Sequence, residues 1–209
     1  MKKSAALVGA SGLVGAQLLD QLRDIPRLEV WSRRPIDLPA NVRATVASQP
    51  PVESAPFWEV ETLFVALGTT IAKAGSRDAF AAVDLQLVLE CARRARHSGV
   101  TTLALVSALG ADPDSRIFYN RIKGLAEKGV RELGFPRVVI ARPSLLLGDR
   151  QEFRAGEWIS RKLMGPVRQL LPRSIRPIRD AEVARALVNS AKESGWSGVR
   201  ILENGQMVG

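Results

Sequence analysis

The sequence predicts an α/β protein, a doubly wound parallel sheet with helices on both faces. Three observations predict it. Short apolar runs of strand length alternate with longer stretches at helical spacing. The first run stops at a glycine turn, Gly9-Ala10-Ser11-Gly12-Leu13-Val14-Gly15, that leads directly into a helical pattern. The run at residues 62–67 is continuously apolar, as expected of a strand buried on both faces.

Ala5-Ala6-Leu7-Val8 is the first strand. Glycines follow at spacing G-x-x-G-x-x-G, and Leu13, Val14, Leu18, Leu19 and Leu22 then fall on one helical face. Strand, glycine turn and helix bring bare N–H groups and a helix N-terminus to one point, which favours a phosphate. Gly9 permits the sharp turn, Gly12 lets the backbone approach a pyrophosphate, and Gly15 lets helix and strand pack closely. Ser11, Leu13 and Val14 belong to the same expected site. The lysines and apolar run at the N-terminus also suit a signal peptide, but glycines interrupt the run and no cleavage pattern follows.

The first helix ends near Asp24, because Pro26 cannot continue it. Leu28-Glu29-Val30-Trp31 is the second strand and ends at Ser32-Arg33-Arg34-Pro35. An NAD site places an acidic residue here to accept from the ribose 2′-hydroxyl. A hydroxyl and two guanidiniums suit a 2′-phosphate instead, which predicts NADP(H). Residues 42–47 form a third strand, followed by a loop at Gln49-Pro50-Pro51 and a short segment through Trp58. The strand at 62–67 delivers Leu67-Gly68-Thr69-Thr70 to the expected cofactor cleft. A long helix over 78–96 is closed by Gly99, and 101–106 is the next buried strand.

Ser107 ends that strand, where such sheets bind ligands. Tyr119-Asn120-Arg121-Ile122-Lys123 then opens a helix marked by Ile122, Leu125, Ala126, Val130 and Leu133 and closed by Gly134. Positions i and i+4 share a face, so Tyr119 and Lys123 point the same way. A phenol can give a proton to a carbonyl oxygen as hydride arrives, and a nearby ammonium favours its ionised form. Ser107 is expected to hydrogen-bond the substrate oxygen. Tyr119 is the single tyrosine. The sixth strand, Val138-Val139-Ile140-Ala141, leads to Arg142-Pro143, a set turn over the nicotinamide end. Beyond it come a helix over 158–171, a Pro/Arg-rich loop, a helix over 180–192 and a strand at Val199-Arg200-Ile201-Leu202. Arg150, Arg154 and Arg176 are alternative anchors for an acidic substrate.

The 209 residues are 46% hydrophobic with mean hydropathy +0.01, a globular composition. They are read as one dinucleotide-binding domain over 1–209, with a cofactor core over 1–148 and a C-terminal extension over 149–209 lining the substrate cleft. No apolar run approaches the roughly 18 residues of a membrane span. The single cysteine, Cys91, excludes an internal disulfide and suits a reducing compartment, and a cytoplasmic location is expected. Cys91 is expected in the core, and His97 as a dipole partner at the C-terminal end of its helix. The two make no metal site between them. The net charge of +9 comes mostly from scattered arginines, and aromatics are 5%, so no specific nucleic acid is expected.

These stretches resemble the short-chain dehydrogenase/reductases. The narrower resemblance is to the atypical branch of Tat-interacting-protein-like oxidoreductases. It is carried by the glycine turn, Leu67-Gly68-Thr69-Thr70, Lys73-Ala74-Gly75, Ser107, Tyr119-x-x-x-Lys123, Arg142-Pro143, Gly148-Asp149-Arg150-Gln151-Glu152 and Gly156-Glu157-Trp158. The resemblance implies a Rossmann-type fold, NADP(H), and hydride transfer involving a small carbonyl or alcohol. It implies Ser107, Tyr119 and Lys123 as the catalytic set, with Lys123 also on the nicotinamide ribose, in a monomer or homodimer. Two positions depart from the pattern: Asp84 stands where better-known members have asparagine, and Ser144 follows Pro143 where glycine is often seen. A second reading is an NADP(H)-sensing or protein-binding module with little turnover.

Overall fold

The computed structural model describes residues 4–39, 42–148 and 171–208. Along the chain lie β1 (Ser4–Val8), α1 (Leu13–Leu22), β2 (Arg27–Ser32), β3 (Arg43–Val46) and β4 (Thr62–Val65). Next are two short helices, α2 (Ile71–Ala74) and α3 (Arg77–Ala81), then a π-helical turn at Ala82–Leu87 and α4 (Val88–His97). There follow β5 (Thr102–Val106), α5 (Phe118–Glu132), β6 (Arg137–Arg142), β7 (Leu146–Leu147), β8 (Ile178–Arg179), α6 (Asp180–Lys192), β9 (Gly198–Glu203) and α7 (Asn204–Met207).

Seven strands form one parallel sheet in the order β3-β2-β1-β4-β5-β6-β9. The order reverses between β1 and β4, and a crevice at the carboxyl ends of such a pair is where these sheets bind ligands. The register keeps the ends level: Val8 lies opposite both Trp31 and Val65. Side chains alternate between two apolar layers. Ala5 and Leu7 pack with Leu18, Leu22, Val183 and Leu187 of α1 and α6. Ala6 and Val8 belong to the layer of Trp58, Cys91, Ala95, Ala126 and Val130 under α4 and α5. Both faces are therefore covered, which explains why the central strands read as unbroken apolar runs.

The predicted fold class, a doubly wound parallel sheet with helices on both faces, is the one observed. Three details differ. The strand at 62–67 stops at Val65, although the Ala66 N–H still donates to the Val8 carbonyl at 2.9 Å. Its neighbour β1 turns away at Gly9, so Leu67 onward has no strand to pair with. The helix expected over 78–96 is broken by the π-helical turn, and α2 precedes it, closed by Gly75 with φ +85°. The small parallel pair β7–β8 was not predicted; two residues per strand carry no periodicity.

Cys91 lies in the core as expected, and burial pushes its thiol up to about 12. His97 ends α4 as expected, in a last turn it shares with Arg94 and Arg96, and its Nδ1 lies 2.9 Å from Glu53 Oε1, both largely exposed. The helix expected over 158–171, apart from its last residue, and Arg150 and Arg154 lie outside the described residues, as do residues 149–158 of the two C-terminal motifs. Among the described residues no helix is long and apolar enough to cross a membrane.

Candidate active site

The glycine turn sits where the sequence places it, between β1 and α1. Gly9 has φ +89°, a conformation that side chains with a Cβ rarely adopt. A Cβ on Gly15 would lie 2.0 Å from the Gly9 carbonyl oxygen, so α1 reaches the strand end only because residue 15 has none. The Gly12 N–H donates to Gly9 O at 2.9 Å, and Gly12 begins the helix with no side-chain cap and no acidic residue in the first turn. Ser11 is exposed, Leu13 half-buried, and Val14 belongs to the core. The early N–H groups of α1 thus face a turn stripped of side-chain bulk, which fits a pyrophosphate.

At the end of β2 the Ser32 hydroxyl donates to the Arg34 carbonyl at 2.7 Å, closing the turn. Arg33 and Arg34 are exposed, and neither guanidinium has a hydrogen bond or ion pair among the described residues. Two unengaged cations therefore stand one strand away from the glycine turn.

The loop after β4 carries Leu67, Gly68, Thr69 and Thr70. It is fastened by Asp84, whose Oδ2 accepts the Thr69 N–H at 2.9 Å. Asp84 Oδ1 lies 2.6 Å from Lys123 Nζ, with the aspartate side chain fully buried and the lysine side chain 8% exposed. Apart from that ammonium, Oδ1 has no partner among the described residues. The π-helical turn that holds Asp84 adds a residue to the helical turn there, a device common at functional sites. A Cβ on Gly68 would lie 3.6 Å from Lys123 Nζ, so the ammonium reaches the cleft loop itself.

Tyr119, one turn before Lys123, is half-buried with its ring centroid 5.5 Å from that of the buried Phe80. Its hydroxyl has no hydrogen-bond partner among the described residues. One turn after Lys123 comes Glu127, 2% exposed. Ser107 donates its hydroxyl to Glu127 Oε1 at 2.6 Å. Arg142 grips the same carboxylate with two nitrogens, Nε to Oε1 at 3.0 Å and Nη2 to Oε2 at 2.7 Å, and reaches Glu203 with Nη1 at 3.1 Å. The hydrogen bond to Glu127 holds the Arg142 guanidinium above its usual range.

The structure thus gathers Gly9, Gly12, Gly15, Gly68, Ser107 and Lys123 along one rim, with Tyr119 on the lysine's face of α5. It turns the Arg142 side chain to Glu127 and Glu203, while the Pro143 carbonyl accepts the Leu109 N–H at 2.8 Å and so ties the β5 and β6 ends together. Arg176 donates from Nε and Nη2 to the Leu171 carbonyl, at 3.2 and 2.9 Å. Sequence reasoning did not find Glu127 or Asn204. The fully buried Asn204 joins Ser144 to the loop at Arg173 and Arg176, which fixes the turn after Pro143. A signal for Glu127 did exist: it is the one carboxylate on the i, i+4 series that begins at Tyr119. Among the described residues no group of acidic, histidine and cysteine side chains is placed to hold a metal.

No family model matches the chain. It is 38% identical over 199 residues to "Protein FMP52, mitochondrial" of Debaryomyces hansenii, covering 91% of this chain and 88% of that protein. It is 35% identical over 214 residues to "Protein HTATIP2" of Rattus norvegicus, covering 97% and 86%. Among solved structures, MoeE5 in complex with UDP-glucuronic acid and NAD matches with TM-score 0.72 at 17% identity, over 97% of this chain and 76% of that one. UDP-glucose 4-epimerase of Thermotoga maritima with UDP-glucose matches with TM-score 0.68 at 13% identity, over 97% and 77%. At such identities the structural likeness speaks for the fold alone.

The expected cytoplasmic location is overturned, because fungal relatives from Debaryomyces, Emericella and Scheffersomyces are named mitochondrial. A lone cysteine separates reducing from oxidising compartments and cannot separate one reducing compartment from another. The chain belongs to the family of FMP52 and HTATIP2, and its fold is the Rossmann-type fold that the resemblance to short-chain dehydrogenase/reductases implies.

Proposed function

We propose that this member of the FMP52 and HTATIP2 family is an NADP(H)-dependent oxidoreductase acting on a small carbonyl or alcohol, with Tyr119 as the acid/base. The nicotinamide, when bound, supplies or accepts the hydride. The chain's own residues do the rest. The N–H groups after Gly9 hold the pyrophosphate, and Ser32, Arg33 and Arg34 take the 2′-phosphate. Lys123 holds the nicotinamide ribose from beside Gly68. Leu67 to Thr70 and the Pro143 turn border the cleft. Tyr119 gives its hydroxyl proton to the carbonyl oxygen in reduction and takes a proton in oxidation.

One observation carries this reading. A tyrosine with an unengaged hydroxyl stands one helical turn from a buried lysine at the carboxyl rim of the sheet, beside the glycine turn. Among the described residues that phenol has no partner to satisfy, and it has a proton to give.

The second reading, an NADP(H)-sensing module, has its own support. Lys123 is matched by Asp84 and Ser107 by Glu127, so two of the three groups in the set are engaged within the chain. One experiment addresses both readings. NADPH and NADH are titrated against wild type and Arg33→Ala, and aldehydes, ketones and quinones are then screened by loss of NADPH absorbance. A charge-assisted contact is worth about 1.5–3 kcal/mol, so Arg33→Ala should weaken NADPH roughly 10- to 150-fold and leave NADH nearly unchanged. Equal affinities of the wild type for both cofactors would remove the NADP(H) assignment. Tight NADPH binding without turnover across the panel favours the sensor.

A further inference from the structure

Tyr119, Lys123 and Glu127 follow one another at four-residue steps on α5, and Glu127 is the member that the proposed reaction leaves without a task. It is buried, and Arg142 grips it with two nitrogens at 2.7 and 3.0 Å, while Arg131 Nη2 lies 3.4 Å away. Guanidinium N–H groups thus donate to both oxygens of this carboxylate, which takes them as an acceptor only. An ionised carboxylate has no hydrogen to give. The 2.6 Å contact between Ser107 and Glu127 is therefore an O–H donated by the serine. A serine hydroxyl has a single hydrogen, so only the lone pairs of Ser107 Oγ remain for the cleft.

We propose that Glu127 is a positioning residue that fixes Ser107 as a hydrogen-bond acceptor toward the cleft. The inference rests on Ser107 belonging to the reacting set. A carbonyl oxygen also only accepts, and two acceptors do not pair. The carbonyl oxygen of a substrate is then served by Tyr119 alone, and whatever ligand group docks on Ser107 brings a donor, such as a hydroxyl. This departs from the expectation that Ser107 donates to the substrate oxygen.

The direct test is neutron diffraction from a crystal of the full chain exchanged into heavy water at neutral pH. The expected map shows deuterium on Ser107 Oγ pointing at Glu127 and none on either Glu127 oxygen. Deuterium on Glu127, or a Ser107 deuterium turned to the cleft, overturns the proposal. Steady-state kinetics supply the functional readout, using a simple ketone that carries no hydroxyl and that the panel shows to be turned over. Ser107→Ala should raise the KM of a hydroxyl-bearing analogue of this ketone roughly 2- to 12-fold more than that of the ketone itself, because the lost group is an acceptor that serves a donor. In Glu127→Ala the serine proton loses its acceptor, which frees it for the cleft. The ketone's KM should then fall roughly 2- to 12-fold, the worth of one neutral hydrogen bond, with kcat moving less. A ketone KM that rises in Ser107→Ala as much as the hydroxyl-bearing analogue's overturns the proposal even if Glu127→Ala fails to fold. The two questions stay separate: the proton position is read without a substrate, whereas an active Tyr119→Phe defeats only the oxidoreductase reading.

Discussion

Replacing Asp84 by asparagine changes one atom and removes the one carboxylate that balances Lys123 among the described residues. The amide oxygen of asparagine can still accept the Thr69 N–H, now 2.9 Å from Oδ2, so the loop keeps its anchor. What is lost is the charge 2.6 Å from an ammonium whose side chain is 8% exposed. Breaking a buried pair by removing one partner costs about 3–5 kcal/mol, and the small opening at Lys123 puts this site near the lower figure. For a chain of this size 1 kcal/mol moves Tm by about 2–4 °C, so Asp84→Asn should melt roughly 6–12 °C below wild type. Lys123→Met should also destabilise, because it orphans Oδ1 inside the protein. The double variant Asp84→Asn, Lys123→Met removes both charges and should recover most of the loss, since apolar replacement of a buried pair is often neutral. Thermal unfolding followed by circular dichroism gives the four corners of the cycle. NADPH titration reports whether the loop over Leu67 to Thr70 still serves the cofactor. If Asp84→Asn melts within 1 °C of wild type and the two changes simply add, the pair does not hold the site together and the reasoning fails.

Two further outcomes follow from particular atoms. Gly15→Ala places a Cβ 2.0 Å from the Gly9 carbonyl oxygen, a backbone atom with little room to yield; it should cost about 1–3 kcal/mol and abolish measurable NADPH binding by titration. Gly134→Ala is the control: its φ is +70° but nothing lies within 4 Å, so only backbone strain of about 1–2 kcal/mol is expected, with cofactor binding intact. Cys91, held near pKa 12 by burial, should resist maleimide at pH 8 in the folded protein and react fully in denaturant. Rapid native labelling would show that its core opens.

Much of this molecule is legible in the sequence because the constraints are local. Gly9 and Gly15 are required by a turn whose own backbone lies within a few residues, so the requirement is written in the turn. The strands around Val8, Val65 and Leu105 are buried on both faces, and burial alone makes them read as strands. Tyr119 and Lys123 are related by helical spacing, which is also local. The partners of these groups are not local. Glu127 meets Ser107 and Arg142, and Arg142 meets Glu203, across three strands, and those meetings depend on the strand order β5-β6-β9. Asp84 is visible as an unusual residue, but its pairing with Lys123 depends on a π-helical turn that no apolar period announces. The charge expected to act on the Tyr119 phenol therefore turns out to face a carboxylate as well. Arg142 and Arg176 show the same limit: arginine type says what can be bound, and only the fold says that internal oxygens already bind it.

The central claim is that Tyr119 moves the proton, and Tyr119→Phe tests it most directly. The substitution keeps the ring beside Phe80 and deletes a hydroxyl that makes no hydrogen bond among the described residues. Folding and NADPH affinity should therefore match wild type. Turnover of any carbonyl accepted by the wild type should fall by about 10²- to 10⁴-fold, the range for loss of a general acid. Reduction by Tyr119→Phe at the wild-type rate, with NADPH bound as tightly as before, would contradict the mechanism.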